Sequence, residues 1–214
     1  MLNTLLHPFP YKLYLVTGED ACAGRNLLWV VEQAVKGGVD VVQLREKHKD
    51  TAAFIALAKP LKELLDSYNV PLIINDNIEV AMAINASGLH VGNTDVQPSV
   101  VNSRWTEYTH LGWSVEYLEQ LQSPQMHYAS HLGVSPVFST DTKTDTVTEW
   151  GLNGIRQIRS LTDKPLVAIG NMNVTNAYDV IKAGADCIAV VSAISAAHNP
   201  QRAAYEIRNQ IEKA

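Results

Sequence analysis

The run Gln43-Leu44-Arg45-Glu46-Lys47 places an amide and two cations at the end of an apolar stretch that reads as a buried strand. A strand buried on both faces is apolar along its length, so polar groups gathered at its carboxyl end need a reason. Amide, guanidinium and ammonium donors in that position suit a phosphorylated substrate. Taken alone, Arg45 to Lys47 read more readily as the start of a solvated loop. Their companions along the chain shift that weight.

Similar groups follow the other strand-like segments. Asn75-Asp76 ends one; His90 and then Gly92-Asn93-Thr94-Asp95 end the next; Ser114 ends a third. Ser139-Thr140-Asp141-Thr142-Lys143 opens a long polar loop, and Gly170-Asn171 and Val191-Ser192-Ala193 close the last two strands. Asp76 and Asp95 follow adjacent strands, so their carboxylates are expected to meet. Hard oxygen ligands without cysteine or paired histidine suggest Mg²⁺, which sits between one or two carboxylates and a substrate's phosphate oxygens. Singly, each aspartate reads as well as a turn or helix cap. Gly170 and the backbone at Val191-Ser192 could cradle a phosphate on N–H groups, or Gly170 could merely permit a turn. The loop from Ser139 to Trp150 could close over a ligand or be plain solvated surface. His90 reads equally as a core or supporting histidine and as a base. Trp29, Trp105, Trp113 and Trp150 read as packing residues, with Trp113 beside Ser114 also placed to line a pocket.

The elements that would carry these groups alternate regularly. Strands are expected at Lys12 to Thr17, Val39 to Leu44, Pro71 to Asn75, Gly88 to Val91, Leu111 to Ser114, His131 to Ser135, Leu166 to Ile169 and Cys187 to Val191. Between them lie helical periodicities: Leu27 to Val35, Phe54 to Leu65 with a kink at Pro60, Val80 to Ile84, Tyr117 to Leu121, Leu152 to Leu161, Thr175 to Ala183, and finally Pro200 to Ile211. Two junctions echo each other, Lys36-Gly37-Gly38-Val39-Asp40 and Lys182-Ala183-Gly184-Ala185-Asp186, each ending a helix on glycine before a new strand. Eight such units imply a parallel sheet closed into a (β/α)8 barrel, one α/β domain over residues 1–214. A doubly wound open sheet would carry a glycine-rich fingerprint after its first strand, and Thr17-Gly18-Glu19-Asp20 is not one.

Bulk properties narrow the classes. At 214 residues, 46% hydrophobic and 18% charged, the chain can build one sizeable core. A net charge of -5 argues against a general nucleic-acid binder. Two cysteines, Cys22 and Cys187, lack metal-type spacing and are too few for a disulfide framework. No apolar run approaches a membrane span, and Met1 to Pro10 does not read as a signal peptide. A cytoplasmic protein without membrane or nucleic-acid partners is expected.

The chain resembles the thiamine-phosphate synthase family over nearly its whole length, from Tyr14-Leu15-Val16-Thr17 to Val190-Val191-Ser192-Ala193-Ile194. The pieces that carry the resemblance are Gln43-Leu44-Arg45-Glu46-Lys47, Ile73-Ile74-Asn75-Asp76, Gly88-Leu89-His90-Val91-Gly92 with Asp95, and Gly133-Val134-Ser135-Pro136-Val137-Phe138 with Thr140-Asp141-Thr142-Lys143. The resemblance implies a TIM barrel that joins 4-amino-2-methyl-5-hydroxymethylpyrimidine diphosphate to 4-methyl-5-(2-phosphoethyl)thiazole, releasing pyrophosphate. It implies that Gln43, Arg45, Lys47, Asn75 and Lys143 hold the pyrimidine diphosphate and that Asp76 and Asp95 hold Mg²⁺. Ser114 would contact the pyrophosphate or the pyrimidine. Thr140, Thr142, Gly170 and the backbone of Val191-Ser192 would hold the thiazole phosphate. A dissociative substitution through a pyrimidine methylene cation, and a homodimer, belong to the same expectation.

Several positions depart from the family pattern. Asn77 stands where Arg is frequent, Asn93 where Gln is common, Asp141 for Pro, Ser135 and Asn171 for glycines, and Glu116 for a His after Ser114-Val115. Two rival readings remain: a metal-independent thiazole tautomerase, which would keep a base in the fifth loop, and a non-catalytic paralogue that binds precursors.

Overall fold

The computed structural model describes residues 8–139 and 148–214. Eight strands, β1 (Leu13–Thr17), β2 (Val41–Leu44), β3 (Leu72–Asn75), β4 (Gly88–Val91), β5 (His110–Val115), β6 (His131–Val134), β7 (Leu166–Ile169) and β8 (Cys187–Val190), pair in parallel in that order. β8 returns to β1 through Ala189↔Tyr14 and Val190↔Leu15, so the barrel closes. Around it run α1 (Leu27–Lys36), α2 (Thr51–Ser67), α3 (Ile78–Ala83), α4 (Pro98–Arg104), α5 (Gly151–Leu161), α6 (Ala177–Lys182), α7 (Ser192–Ser195) and α8 (Pro200–Lys213). The closed (β/α)8 barrel expected from the alternation is the observed architecture.

Strand periodicity sorts side chains into two layers. Leu13, Leu15, Val42, Leu44, Leu72, Ile74, Leu89, Leu111, Trp113, Leu132, Leu166 and Ile188 belong to the core between sheet and helices. Tyr14, Val16, Val41, Ile73, Val167, Cys187 and Ala189 form a separate cluster inside the barrel, with Phe9 packed among them. The alternation is that of a pleated strand, in which residues i and i+2 share a face. Each fully buried leucine or isoleucine of the outer layer contributes on the order of 2 kcal/mol.

Four of the helices, α1, α2, α3 and α8, start where a short polar side chain takes an unpaired N–H group. Asn26 accepts from Trp29 N at 3.0 Å for α1, Asp50 from Ala53 N at 2.8 Å for α2, Asn77 from Val80 N at 2.9 Å for α3 and Asn199 from Arg202 N at 2.9 Å for α8. Asn77, a departure from the family pattern, therefore has a structural use. α2 continues through Pro60 as one helix of 17 residues. The expected helix from Tyr117 to Leu121 is instead a pair of 3-10 turns, Leu118–Gln122 and Pro124–Tyr128. Pro124 explains the break, since it cannot donate to a continuing helix. Among the described residues no helix is long and apolar enough to cross a membrane.

Candidate active site

A cavity of about 450 Å³ opens where the strands end at their carboxyl termini. Its walls follow from the phase of the strands. Gln43, Arg45 and Lys47 line it, and Leu44 and Glu46 do not. Asn75 lines it from β3, His90 and Gly92 from β4, Ser114 from β5, Gly133 and Ser135 from β6, Ile169 and Asn171 from β7, and Val191 from β8. Every second residue of each strand points inward, so a strand end delivers its polar groups to the mouth in steps of two. Trp113 has the opposite phase, sits in the outer core and does not line the cavity. Trp105 and Trp150 are buried packing residues, and Trp29 is exposed.

Glu46 leaves the cavity for a structural task. Its Oε1 accepts the Glu19 N–H at 2.7 Å, and Lys49 Nζ bonds Glu19 Oε2 at 2.6 Å. The acid thus ties the loop after β1 to the loop after β2 and holds the backbone of Arg45 and Lys47 in place. Below them, Gln43 Nε2 donates to the buried Tyr14 hydroxyl at 2.9 Å, which fixes the amide's direction. Tyr14 was not among the sequence-derived candidates; its inward phase on β1, two residues before the Val16 that pairs with Gln43, was the available signal.

Asp76 and Asp95 meet at the rim. Asp76 sits at φ 61, in the left-handed region, with Asn77 N bonded to Asn75 O at 2.7 Å around it and its own N–H bonded to His90 O at 2.9 Å. Such a position is strained for a residue with a Cβ, and aspartate is among the few that tolerate it. The turn aims the carboxylate at Asp95 rather than outward. Asp95 does not cap α4; its Oδ2 accepts the Gly92 N–H at 2.8 Å. Burial, followed by the hydrogen bond from Asp76, raises the Asp95 carboxyl above the ordinary aspartate range, with Gly92 and Lys47 opposing. Lys47 Nζ lies 2.7 Å from Asp76 Oδ2.

The fifth loop is held from below. Gln120 accepts from Glu116 N at 2.7 Å and Tyr117 N at 2.9 Å, donates to Ser114 O at 3.1 Å, and bonds Asn93 Oδ1. Asn93 in turn donates to Glu116 Oε2 at 2.7 Å. The two departures Asn93 and Glu116 are therefore partners of each other, and Glu116 is not among the cavity-lining residues. Sequence reading did not single out Gln120, because its role depends on a 3-10 turn.

At the opposite wall, Gly170 has φ 115, and a Cβ on it would lie 2.7 Å from Pro136 Cβ and 2.8 Å from Val137 N. Only glycine fits there. Asn171 follows at φ 52, the left-handed conformation that asparagine accepts better than most residues. Its carbonyl takes Asn173 Nδ2 at 3.1 Å and Asn176 Nδ2 at 2.9 Å. The missing second glycine is thus accommodated. Val191, Ser192 and Ala193 complete this wall at the start of the short α7. Thr140, Thr142 and Lys143 lie outside the described residues, as does most of the loop they belong to. Ser139, the last described residue before them, lines the cavity.

A family model described as thiamine monophosphate synthase matches residues 13–194. The chain is 48% identical over 201 residues to a thiamine-phosphate synthase of Albidiferax ferrireducens, covering 94% of this chain and 92% of that one. It is 44% identical to a thiamine-phosphate synthase of Leptospira biflexa over 92% of this chain and 96% of the relative. Among solved structures, a thiamine phosphate pyrophosphorylase from Pyrococcus furiosus superposes with a TM-score of 0.85 at 31% identity, covering 95% and 96% of the two chains. A 3-hexulose-6-phosphate synthase at 16% identity and TM-score 0.69 shares the fold alone. A match through all eight strands, together with relatives spanning almost their full length, puts this chain in the thiamine monophosphate synthase family.

Proposed function

We propose that the cavity joins a pyrimidine diphosphate to a thiazole phosphate, giving thiamine phosphate and pyrophosphate, with Mg²⁺ held by Asp76 and Asp95. The observation that carries this reading is the facing carboxylate pair beside Lys47 and Arg45 in one cavity. Two carboxylates repel each other and would repel a diphosphate; a divalent cation between them relieves both conflicts. Among the described residues no cluster of three or more His, Cys, Asp or Glu gathers, so substrate oxygens would complete the shell. Asp76 and Asp95 would hold Mg²⁺ there, and the ion would supply positive charge to offset that of the leaving pyrophosphate.

The protein's own groups do the rest. Arg45, Lys47 and Lys143 donate to diphosphate oxygens, and charge-assisted donors of this kind are worth about 10²–10³ in rate. Gln43 and Asn75 grip the pyrimidine end, and Ser114 faces the pyrophosphate from β5. The C–O bond breaks with its electron pair leaving on pyrophosphate, and the thiazole nitrogen's lone pair forms the new C–N bond. The apolar floor of Val16, Val167, Ile169 and Ala189 keeps water from the methylene carbon, so the thiazole is the available nucleophile. Thr140, Thr142, Gly170 and the backbone of Val191-Ser192 hold the thiazole phosphate. Both substrates are small soluble phosphates, which fits work in the cytoplasm. The test supplies both substrates with Mg²⁺ and quantifies products. Equal amounts of thiamine phosphate and pyrophosphate, abolished by EDTA, are expected; no product overturns the proposal.

A further inference from the structure

Imidazoles occupy the barrel interior below the cavity. His90, on β4, reaches the cavity, where its Nε2 lies 3.0 Å from Ser114 Oγ. His131, on β6, is fully buried beneath it, with the two ring centroids 6.0 Å apart, and stacks on Phe9 at 3.9 Å. Nδ1 of His131 lies 3.1 Å from Ser130 Oγ. Its Nε2 has no hydrogen-bond partner among the described residues, and a buried ring nitrogen left so calls for an explanation. That nitrogen points at the inward position of β5 held by Gly112. A Cβ there would lie 2.3 Å from His90 Nδ1 and 2.5 Å from His131 Nε2. Each length is shorter than a hydrogen bond, so the two nitrogens stand less than two hydrogen-bond lengths apart.

We propose that His131 is a positioning residue for the Ser114 hydroxyl, acting through His90: its Nε2–H donates toward His90 Nδ1 over Gly112 and so fixes the His90 proton on Nε2. The direction rests on where the Ser130 hydroxyl proton goes. Leu111 N donates to Ser130 Oγ at 3.0 Å, and Leu111 O already takes the Ser130 amide at 2.8 Å. The Ser130 hydroxyl has two acceptors in reach, Leu111 O at 3.1 Å and His131 Nδ1 at 3.1 Å. With Leu111 O already holding the Ser130 amide, the proposed relay gives the hydroxyl proton to His131 Nδ1, which leaves the ring proton on Nε2. His90, receiving at Nδ1, carries its proton on Nε2 and donates to Ser114 Oγ. Ser114 then keeps its own proton for a ligand oxygen in the cavity. All links point the same way, from Leu111 N–H to the anion, and such chains strengthen each link. Burial, with His90 and His110 nearby, holds His131 well below the ordinary imidazole range, so the His131 ring is neutral. Without this order, the Ser114 proton would turn back to His90, and an oxygen lone pair would face the departing pyrophosphate. The consequence for rate rests on the role of Ser114 in the function proposed above.

The test reads the His90 tautomer from ¹⁵N shifts of the ligand-free protein in wild type, His131→Phe and His131→Gln, beside kcat and KM. A single Nε2–H tautomer is expected in wild type, a mixture in His131→Phe, and restoration in His131→Gln, whose amide reaches the Nε2 position. The kcat of His131→Phe should fall about 10-fold with the KM for thiazole phosphate unchanged, and His131→Gln should recover most of it. Ser130→Ala, which keeps both rings, gives a second reading if His131→Phe fails to fold; a tautomer mixture is expected there too. A wild-type His90 bearing its proton on Nδ1, or an unchanged Nε2–H tautomer in His131→Phe or Ser130→Ala, overturns the relay. Absence of product from the wild type would overturn the function instead, while the tautomer result still decides the relay.

Discussion

Lys47 Nζ rests 2.7 Å from Asp76 Oδ2, so the cation of the β2 loop leans on a carboxylate that would hold a metal. Both side chains are partly exposed, and a pair of this kind is worth only about 0–1 kcal/mol. A diphosphate and its divalent cation can therefore separate them at little cost. Lys47→Ala should raise the KM for the pyrimidine diphosphate about 10-fold and leave that for the thiazole phosphate unchanged. Initial rates with each substrate varied in turn check this.

Asp95 is strained by burial and by its neighbour Asp76, which together raise its carboxyl pKa. Between the unfolded value of 3.8 and the higher folded value, the folded chain binds more protons than the unfolded one. Stability therefore falls as pH rises through that window, and the deficit persists at neutral pH. Asp95→Asn removes it. In metal-free protein at pH 7 the variant should melt about 1–3 °C above the wild type. Mg²⁺ should raise the Tm of the wild type and not of the variant, as scanning fluorimetry with and without the ion would show.

His131 carries the opposite sign. Burial pushes its pKa well below 6.5, so below about pH 6.5 the unfolded chain binds more protons than the folded one. Stability is lost as pH falls from 6.5 toward the folded value. His131 faces Phe9, Tyr14, His90 and Ser130, none of them an acid that could offset its charge. Urea titrations between pH 7 and 5 should show a smaller loss for His131→Phe than for wild type.

Gly170 and Asn171 share a turn but not a tolerance. Gly170→Ala forces a Cβ against Pro136 at φ 115 and should cost about 1–3 kcal/mol while weakening thiazole phosphate binding. Asn171→Gly, at φ 52, should leave binding within about threefold of wild type, because glycine adopts that conformation freely. Denaturant midpoints and KM values for the thiazole phosphate separate the two.

The barrel was legible because each strand is a short apolar run followed by a polar end, and helix-stopping glycines mark the junctions. Gln43, Arg45, Lys47, Asn75 and Ser114 were legible for a deeper reason: strand phase carries every second residue to the mouth, and the same phase sends Glu46 and Trp113 away. What escaped depends on contacts between distant segments. Gln120 acts from a 3-10 turn, Tyr14 acts by orienting Gln43, and the His90–His131 approach exists only because β5 offers Gly112 between them. None of these has a local signature. Conversely, Asn93 and Glu116 read as separate departures until their 2.7 Å bond paired them.

The most direct measurement is the rate of thiamine phosphate and pyrophosphate formation by wild type, Asp76→Ala and Asp95→Ala at saturating Mg²⁺. The account predicts product from the wild type and a loss of about 10²-fold or more in kcat/KM for each variant. Full activity in both variants would contradict it.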